Sequence, residues 1–263
     1  GIGDMSGDVF GNGLIYSNKA KLIFAFNHLH IFVDPNPDAA NSYEERKRLF
    51  NLPSSTWEDY GILSKGGRIY KRNSERCELT PEIKALFNVK EDSISASELI
   101  KIALQSKYDL LWNGGIGTYF KAQSETDADA KDPSNDNVRI NGCKIGARIV
   151  GEGGNLGFTQ KGRVEYALNG GMINTDAIDN SAGVDCSDHE VNIKILLNAL
   201  VTDGRLNLEE RNEIIKAMTS NVERLVLEDN YSQSLAISLE QIHDSGSAYI
   251  NFIHALEEKG RLD

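Results

Sequence analysis

An α/β fold with a parallel-rich sheet, an inserted helical segment and a helical C-terminal region follows from three observations on the sequence. Short apolar runs that end in Gly, Asn or Asp alternate with helix-start signals. A glycine-rich turn stands at the head of the chain. After about Asp188 the apolar residues fall at helical spacing. Short buried runs separated by helices are the pattern of parallel strands whose faces are covered by helices.

The elements follow in order. Gly1-Ile2-Gly3-Asp4-Met5-Ser6-Gly7 has the form of a strand-to-helix turn that admits a phosphate. The first glycine allows the tight turn, the second lets backbone amides at a helix N-terminus come close, and Ser6 stands where a third glycine is usual. Taken alone, the same residues make an ordinary loop. A strand normally feeds such a turn and none precedes Gly1, so the chain is expected to be a domain cut from a longer polypeptide, its first strand truncated. The apolar run from Lys21 to Asp34 reads as a buried strand and its continuation, closed by the turn signal Asp34-Pro35-Asn36-Pro37. Asn27, near the end of that strand, occupies roughly the place where an acidic residue grips a ribose in dinucleotide-binding folds, and its amide also bonds hydroxyls. His28 and His30 fall on one face at strand spacing, but two histidines without a third ligand make a poor metal site, and no metal is expected.

Ser42 with Glu45, Ser55 with Glu58, Ser95 with Glu98 and Asn207 with Glu210 have the capping-box spacing, and Thr80-Pro81 places a cap before a proline at the first helical position. These signals predict an inserted helical segment at about 43–105. Asp109–Trp112, Ala147–Val150 and Met172–Thr175 read as short buried strands. Gln123–Asn137 is polar and acidic, and reads as a surface loop. Helical spacing then runs through Val191, Ile195, Leu196 and Ala199, through Leu208 to Leu225, and from about Ser232 to Leu256. The expected division is therefore a sheet domain over 1–188 and a helical region over 189–263.

Composition bounds the function. The 263 residues are 40% hydrophobic and 25% charged, the balance of a globular chain with a sizeable core. A net charge of −11 repels phosphate backbones and anionic lipid, and no local basic patch overrides it, so no nucleic-acid partner is expected. No stretch approaches the roughly 20 apolar residues of a membrane span, and the N-terminus lacks a secretion pattern. The expected address is the cytoplasm, with no membrane partner. Cys77, Cys143 and Cys186 are odd in number and far apart, as thiols of a reducing compartment are.

Three loops follow, or nearly follow, predicted strands: Trp112–Thr118, Val150–Asn155 and Asp179–Val184. Each reads singly as a tight turn with asparagine in a left-handed conformation. Together, on the carboxyl ends of strands in one α/β sheet, they favour a crevice whose small residues let backbone approach a flat ligand. Two other constellations carry less. Ser187, Asp188 and His189 are adjacent and cannot form the line of a catalytic triad. Asp176, Asp179, Asp185 and Asp188 lack the glycine-pivoted pattern of a calcium loop and read as a solvated acidic loop.

Three long blocks, Gly3–Gly13, Asp109–Tyr119 and Ile173–Glu190, resemble the large NAD-specific glutamate dehydrogenases of bacteria. The resemblance runs from Gly1 to about Leu197 and more loosely beyond. It implies a Rossmann-like sheet, NAD as cofactor and L-glutamate/2-oxoglutarate as substrates. The implied reaction passes hydride from the α-carbon of glutamate to NAD and hydrolyses the resulting imine to 2-oxoglutarate and ammonium. In such enzymes the lysine and aspartate that handle water and the amine precede the dinucleotide turn, and no residue here matches them, so no catalytic residue is expected in this chain. The expected cofactor contacts are Gly1, Gly3, Asp4, Met5, Ser6, Asn27, Asn113, Gly114, Asn155 and Asn180. Asn155 and Asn180 are implied to touch the nicotinamide riboside, and Ser187 the side-chain carboxylate of the substrate. Asn27 departs from the acidic residue common at its place in the large enzymes. The whole protein is expected to be a cytoplasmic homo-oligomer, and this chain alone to bind NAD without turnover. A non-catalytic nucleotide-binding module with regulatory or assembly duties is the alternative.

Overall fold

In the computed structural model Ile2 makes parallel bridges to both Phe26 and Asn113, and so joins two three-stranded sheets into one. Residues 1–243 and 246–262 are described, and they form two units, Gly1–Asn180 and Ser181–Asp263.

The first unit opens with the glycine turn and helix α1 (Asp8–Ile15), then β1 (Phe24–Phe26), β2 (His30–Val33), α2 (Ala39–Phe50), β3 (Arg68–Lys71) and β4 (Cys77–Glu78). Helix α3 (Pro81–Phe87), β5 (Ser93–Ile94), α4 (Ala96–Gln105), β6 (Tyr108–Asn113), β7 (Phe120–Lys121), β8 (Ile140–Asn141) and β9 (Ala147–Glu152) come next. Helix α5 (Gln160–Leu168), β10 (Met172–Ile173) and the short helix α6 (Asp176–Asp179) complete the unit. Strands β6, β9 and β10 pair in parallel, while β1, β2 and β3 pair antiparallel. Four backbone hydrogen bonds make the join at Ile2: Ile2 N to Trp112 O (2.8 Å), Gly114 N to Ile2 O (2.9 Å), Phe26 N to Gly1 O (3.1 Å) and Gly3 N to Phe26 O (2.7 Å). The sheet is thus parallel from β1 through Ile2 to β10, and the glycine turn emerges at its carboxyl edge.

Side-chain alternation sends Phe24 and Phe26 to one face and Ala25 to the other, and likewise separates Ile31 and Val33 from Phe32. One face packs Phe26, Ile31 and Val33 with Ile83 of α3 and with Leu99, Ile100 and Ala103 of α4. The opposite face packs Met5, Phe10, Phe32, Leu49, Trp57 and Tyr60. Phe32 and Trp57 pack with centroids 4.8 Å apart and planes tilted by 35°, and the buried Trp57 indole donates to Gly3 O at 3.0 Å, so the aromatic core fixes the turn itself. Each such fully buried aromatic side chain stabilises the fold by roughly 1.5–3 kcal/mol over an exposed one.

Several expectations change. The run from Lys21 to Asp34 is a hairpin, because Asn27 Oδ1 accepts from Leu29 N (2.8 Å) and His30 N (2.7 Å) and reverses the chain. His28 therefore lies in the turn and His30 in β2, without a shared strand face. Helix α2 starts before Ser42, capped by Asp38, whose side chain accepts from Asn41 N. Ser42 and Glu45 lie inside that helix, bonded to Arg46 and Arg48. The Ser55/Glu58 cap moves on by one residue to Thr56 and Asp59, around a single 3-10 turn. Ser95 with Glu98, Asn207 with Glu210, and Thr80-Pro81 cap their helices as the sequence indicates. The segment 43–105 holds three helices, but β3 joins the main sheet and β4 pairs with β5, so it is not purely helical. Cys77 is buried there, its thiol pushed up to about 11 by burial.

The second unit consists of α7 (Ser181–Thr202), α8 (Leu208–Ala217), α9 (Thr219–His243) and α10 (Gly246–Glu258). The helical character starts at Ser181, earlier than the apolar spacing indicates, because the first turns of α7 carry few apolar residues. Helix α7 packs against α8 and α9, with Leu197 and Val226 buried. The helix expected over Ser232–Leu256 crosses residues 244 and 245, which lie outside the described residues, as does residue 263 of the C-terminal region. No helix among the described residues is long and apolar enough to cross a membrane.

Candidate functional site

The carboxyl edge of the sheet opens into a cleft of about 930 Å³, within the range of small-molecule sites. Its floor is the turn. Gly3 has φ +133°, a conformation that favours glycine, and a Cβ there would meet the Phe10 ring at 2.8 Å. Gly7 caps α1 without a side-chain hydrogen bond, so the first amides of the helix have no capping partner from that residue. Asp4 does not cap the helix. Its Oδ1 accepts from Ser6 N (3.0 Å) and Ser6 Oγ (2.5 Å), and its Oδ2 accepts from Asn27 Nδ2 at 2.8 Å. The Asn27 amide is thereby engaged at both ends, by Asp4 and by the hairpin turn. Asp4 thus stands as the carboxylate beside the β1 end, where the sequence offers only an amide. Arg72 and Ser74 after β3, Ser95 and Ser97 at the start of α4, and the loop Gly114–Ile116 complete the walls.

Beside the cleft, the loop after β9 rests on the loop after β6. Gly154 N donates to Asn113 O at 3.0 Å, and a Cβ on Gly154 would lie 2.6 Å from Gly115 O. A charged clamp holds this arrangement. Arg163 of α5 donates Nε (2.8 Å) and Nη2 (2.7 Å) to Glu152 Oε2, and Nη2 lies 3.4 Å from Asp176 Oδ1. Asp176 Oδ2 accepts from Leu156 N and Asp179 Oδ2 from Glu152 N, both at 2.9 Å, so two carboxylates of α6 fasten the start and the middle of the loop. Glu152 is fully buried. Burial pushes its carboxyl up to about 7, against the opposing charge and hydrogen bonds of Arg163.

The model of the family described as bacterial NAD-glutamate dehydrogenase, catalytic domain, matches residues 1–240. The chain belongs to this family. Over 267 aligned residues it is 52% identical to a protein of Halomonas elongata and 53% identical to one of Pseudomonas aeruginosa, with all of this chain covered. A protein of Mycobacterium tuberculosis is 49% identical over 98% of the chain. All three are named NAD-specific glutamate dehydrogenase, and the chain spans only 16–17% of their length.

For this member of the family, the expected contacts separate into groups. Gly3, Asp4, Asn27 and Gly114 line the cleft. A Cβ on Gly1 would meet the Phe10 ring at 2.5 Å, Met5 turns its side chain into the core, and the Ser6 hydroxyl is held by Asp4. Asn113 is buried, and its Nδ2 packs against Gly157 without a hydrogen-bond partner, which makes it a support beneath the loops. Asn155 and Asn180 are brought together, Asn180 Nδ2 donating to Asn155 Oδ1 at 2.7 Å. Ser187 belongs to the second unit, exposed on α7, its hydroxyl 3.5 Å from Gly183 O. Asp176 and Asp179 are fasteners of the clamp, and the solvated loop expected of them is instead α6. Sequence reasoning missed Glu152, Arg163 and Arg72. Glu152 and Arg163 stand eleven residues apart on different elements and form no short motif, and Arg72 lies in a segment expected to be helical.

Proposed function

We propose that this chain is the cofactor-holding half of an NAD-dependent glutamate dehydrogenase. The whole enzyme oxidises L-glutamate with water to 2-oxoglutarate and ammonium, and NAD, when bound, accepts the hydride from the α-carbon. The observation that carries the reading is the turn Gly3–Gly7, set at the uncapped start of α1 and opening into the 930 Å³ cleft. Backbone amides at such a helix start suit a pyrophosphate, since they present unpaired donors and the positive end of the helix dipole. The residues fit the rest of a dinucleotide. Asp4, oriented by Asn27, suits a ribose hydroxyl, with the second Nδ2 hydrogen of Asn27 beside it; Gly114 allows backbone approach, and the Asn155–Asn180 pair suits the nicotinamide riboside. Ser187 is assigned to the side-chain carboxylate of the substrate. Proton transfer to water and the amine is assigned to residues outside this chain, and none here is proposed as catalytic. The whole protein is proposed to be a cytoplasmic homo-oligomer.

The test is calorimetric titration of the chain with NAD and NADP, beside an assay of NADH formation from glutamate. The expected result is NAD binding that exceeds NADP binding, without turnover. A folded chain that binds no NAD at millimolar concentration would sink the assignment of the cleft.

A further inference from the structure

We propose that Arg72 is a second phosphate contact of this cleft, beside the amides of the glycine turn, its guanidinium holding a phosphate of an adenosine nucleotide; the inference rests on the cofactor reading above. The placement of Arg72 is fixed by backbone. It directly follows β3, and its amide donates to Leu29 O at 2.7 Å, which locks it beside the β1–β2 turn. The guanidinium lies over the Phe26 ring, 5.2 Å from the centroid, and Phe26 O in turn accepts from Gly3 N of the glycine turn. Tyr119, which lines the cleft, meets the same Phe26 ring edge-on at 5.3 Å, so the guanidinium is set against an aromatic pair at the cleft wall.

The charge of this arginine is unmatched. The buried arginines of the unit are all paired: Arg46 to Ser42 and two carbonyls, Arg139 to Asp127 and Asp136, and Arg163 to Glu152 and Asp176. Among the described residues, the half-buried Arg72 guanidinium has neither an ion pair nor a hydrogen bond, although the chain carries a net charge of −11. Burial lowers its pKa without bringing it near neutrality, so it remains a cation. A partly desolvated guanidinium on an aromatic face, with its fork of donors toward a cleft, is suited to bidentate contact with phosphoryl oxygens. The same cleft holds the Asp4 carboxylate, which repels an incoming phosphate. Arg72 supplies the opposite charge that offsets it.

The phosphate has two possible sources, the 5′ chain and the ribose 2′ position, and the experiment separates them. The chain, Arg72→Met and Arg72→Lys are titrated calorimetrically with ADP, 2′-AMP, adenosine and NAD. The expected result is that Arg72→Met weakens phosphate-bearing ligands by about tenfold or more, leaves adenosine unchanged and flattens the dependence on salt. Arg72→Lys recovers part of the loss and shows that the fold is intact. A loss on ADP places the contact at the 5′ chain, and a loss confined to 2′-AMP places it at the ribose edge. Equal affinity of the chain and Arg72→Met for both phosphate ligands overturns this inference and leaves the cofactor reading standing. A parallel loss of adenosine binding also overturns it, because the effect then is not one of phosphate charge. Failure of the unsubstituted, folded chain to bind either ADP or NAD overturns both.

Discussion

Arg163→Met is expected to lower the unfolding free energy of the Gly1–Asn180 unit by about 3–5 kcal/mol near pH 8, the usual cost of breaking a buried ion pair. The substitution leaves Glu152 fully buried without the two hydrogen bonds that Arg163 donates, and removes the cation beside Asp176. The loss depends on pH in a definite direction. The folded Glu152 carboxyl titrates at about 7, above its ordinary value of 4.5, so the folded protein holds its proton to higher pH than the unfolded chain does. The contribution of this group is therefore fully present below 4.5 and is lost as pH rises through about 7. With Arg163 gone, Glu152 protonates more readily still, and near pH 5 the variant escapes most of the penalty of a buried carboxylate. Urea unfolding at about pH 5 and pH 8 measures the difference. An equal loss at both values would show that packing, and not the Glu152 charge, sets the effect.

Gly3→Ala is expected to destabilise the same unit by about 1–3 kcal/mol or more and to weaken NAD binding with it. Gly3 has φ +133°, a backbone conformation that side-chain-bearing residues rarely adopt, and a Cβ there would meet the Phe10 ring at 2.8 Å. Phe10 is fully buried against Trp57, whose indole donates to Gly3 O, so the ring has little room to yield. Urea unfolding of the variant beside calorimetric titration with NAD measures both effects. Unchanged stability would show that the turn tolerates a side chain and that its backbone is not held as described.

The parts of the fold visible in sequence were those written in local patterns. Strands β6 and β9 are marked by the short apolar runs Leu110–Trp112 and Ile149–Val150, although Leu110 and Ile149 face outward and are exposed rather than buried, and Ser95/Glu98 and Asn207/Glu210 place hydroxyl or amide and carboxylate at the spacing that closes a helix start. Strand β3 was not visible, because Arg68 and Lys71 are exposed at its ends and its residues Ile69 and Tyr70 are only partly buried. The hairpin within 21–34 was hidden for another reason: Asn27 and His28 reverse the chain with no glycine or proline to mark the turn. At the site, the glycine turn and the asparagines of the loops announced themselves by type. The groups that hold those loops did not. Arg163 reaches Glu152 and Asp176 from a helix between them in sequence, and Arg72 meets Phe26 only because a hairpin and a third strand intervene. Such contacts are properties of topology, and spacing along one chain does not encode them.

The double bridge at Ile2 has a consequence for cooperativity. Among the described residues, the two halves of the sheet share backbone pairing through this single position. The amides of Ile2, Gly3, Phe26 and Gly114 are therefore expected to exchange with solvent together, ahead of those inside β2 or β9. The cleft straddles that seam, taking Asn27 and Arg72 from one half and Gly114 and Ile116 from the other. A ligand that grips both sides would act as a cross-tie over the seam, and protection of these four amides would report its arrival.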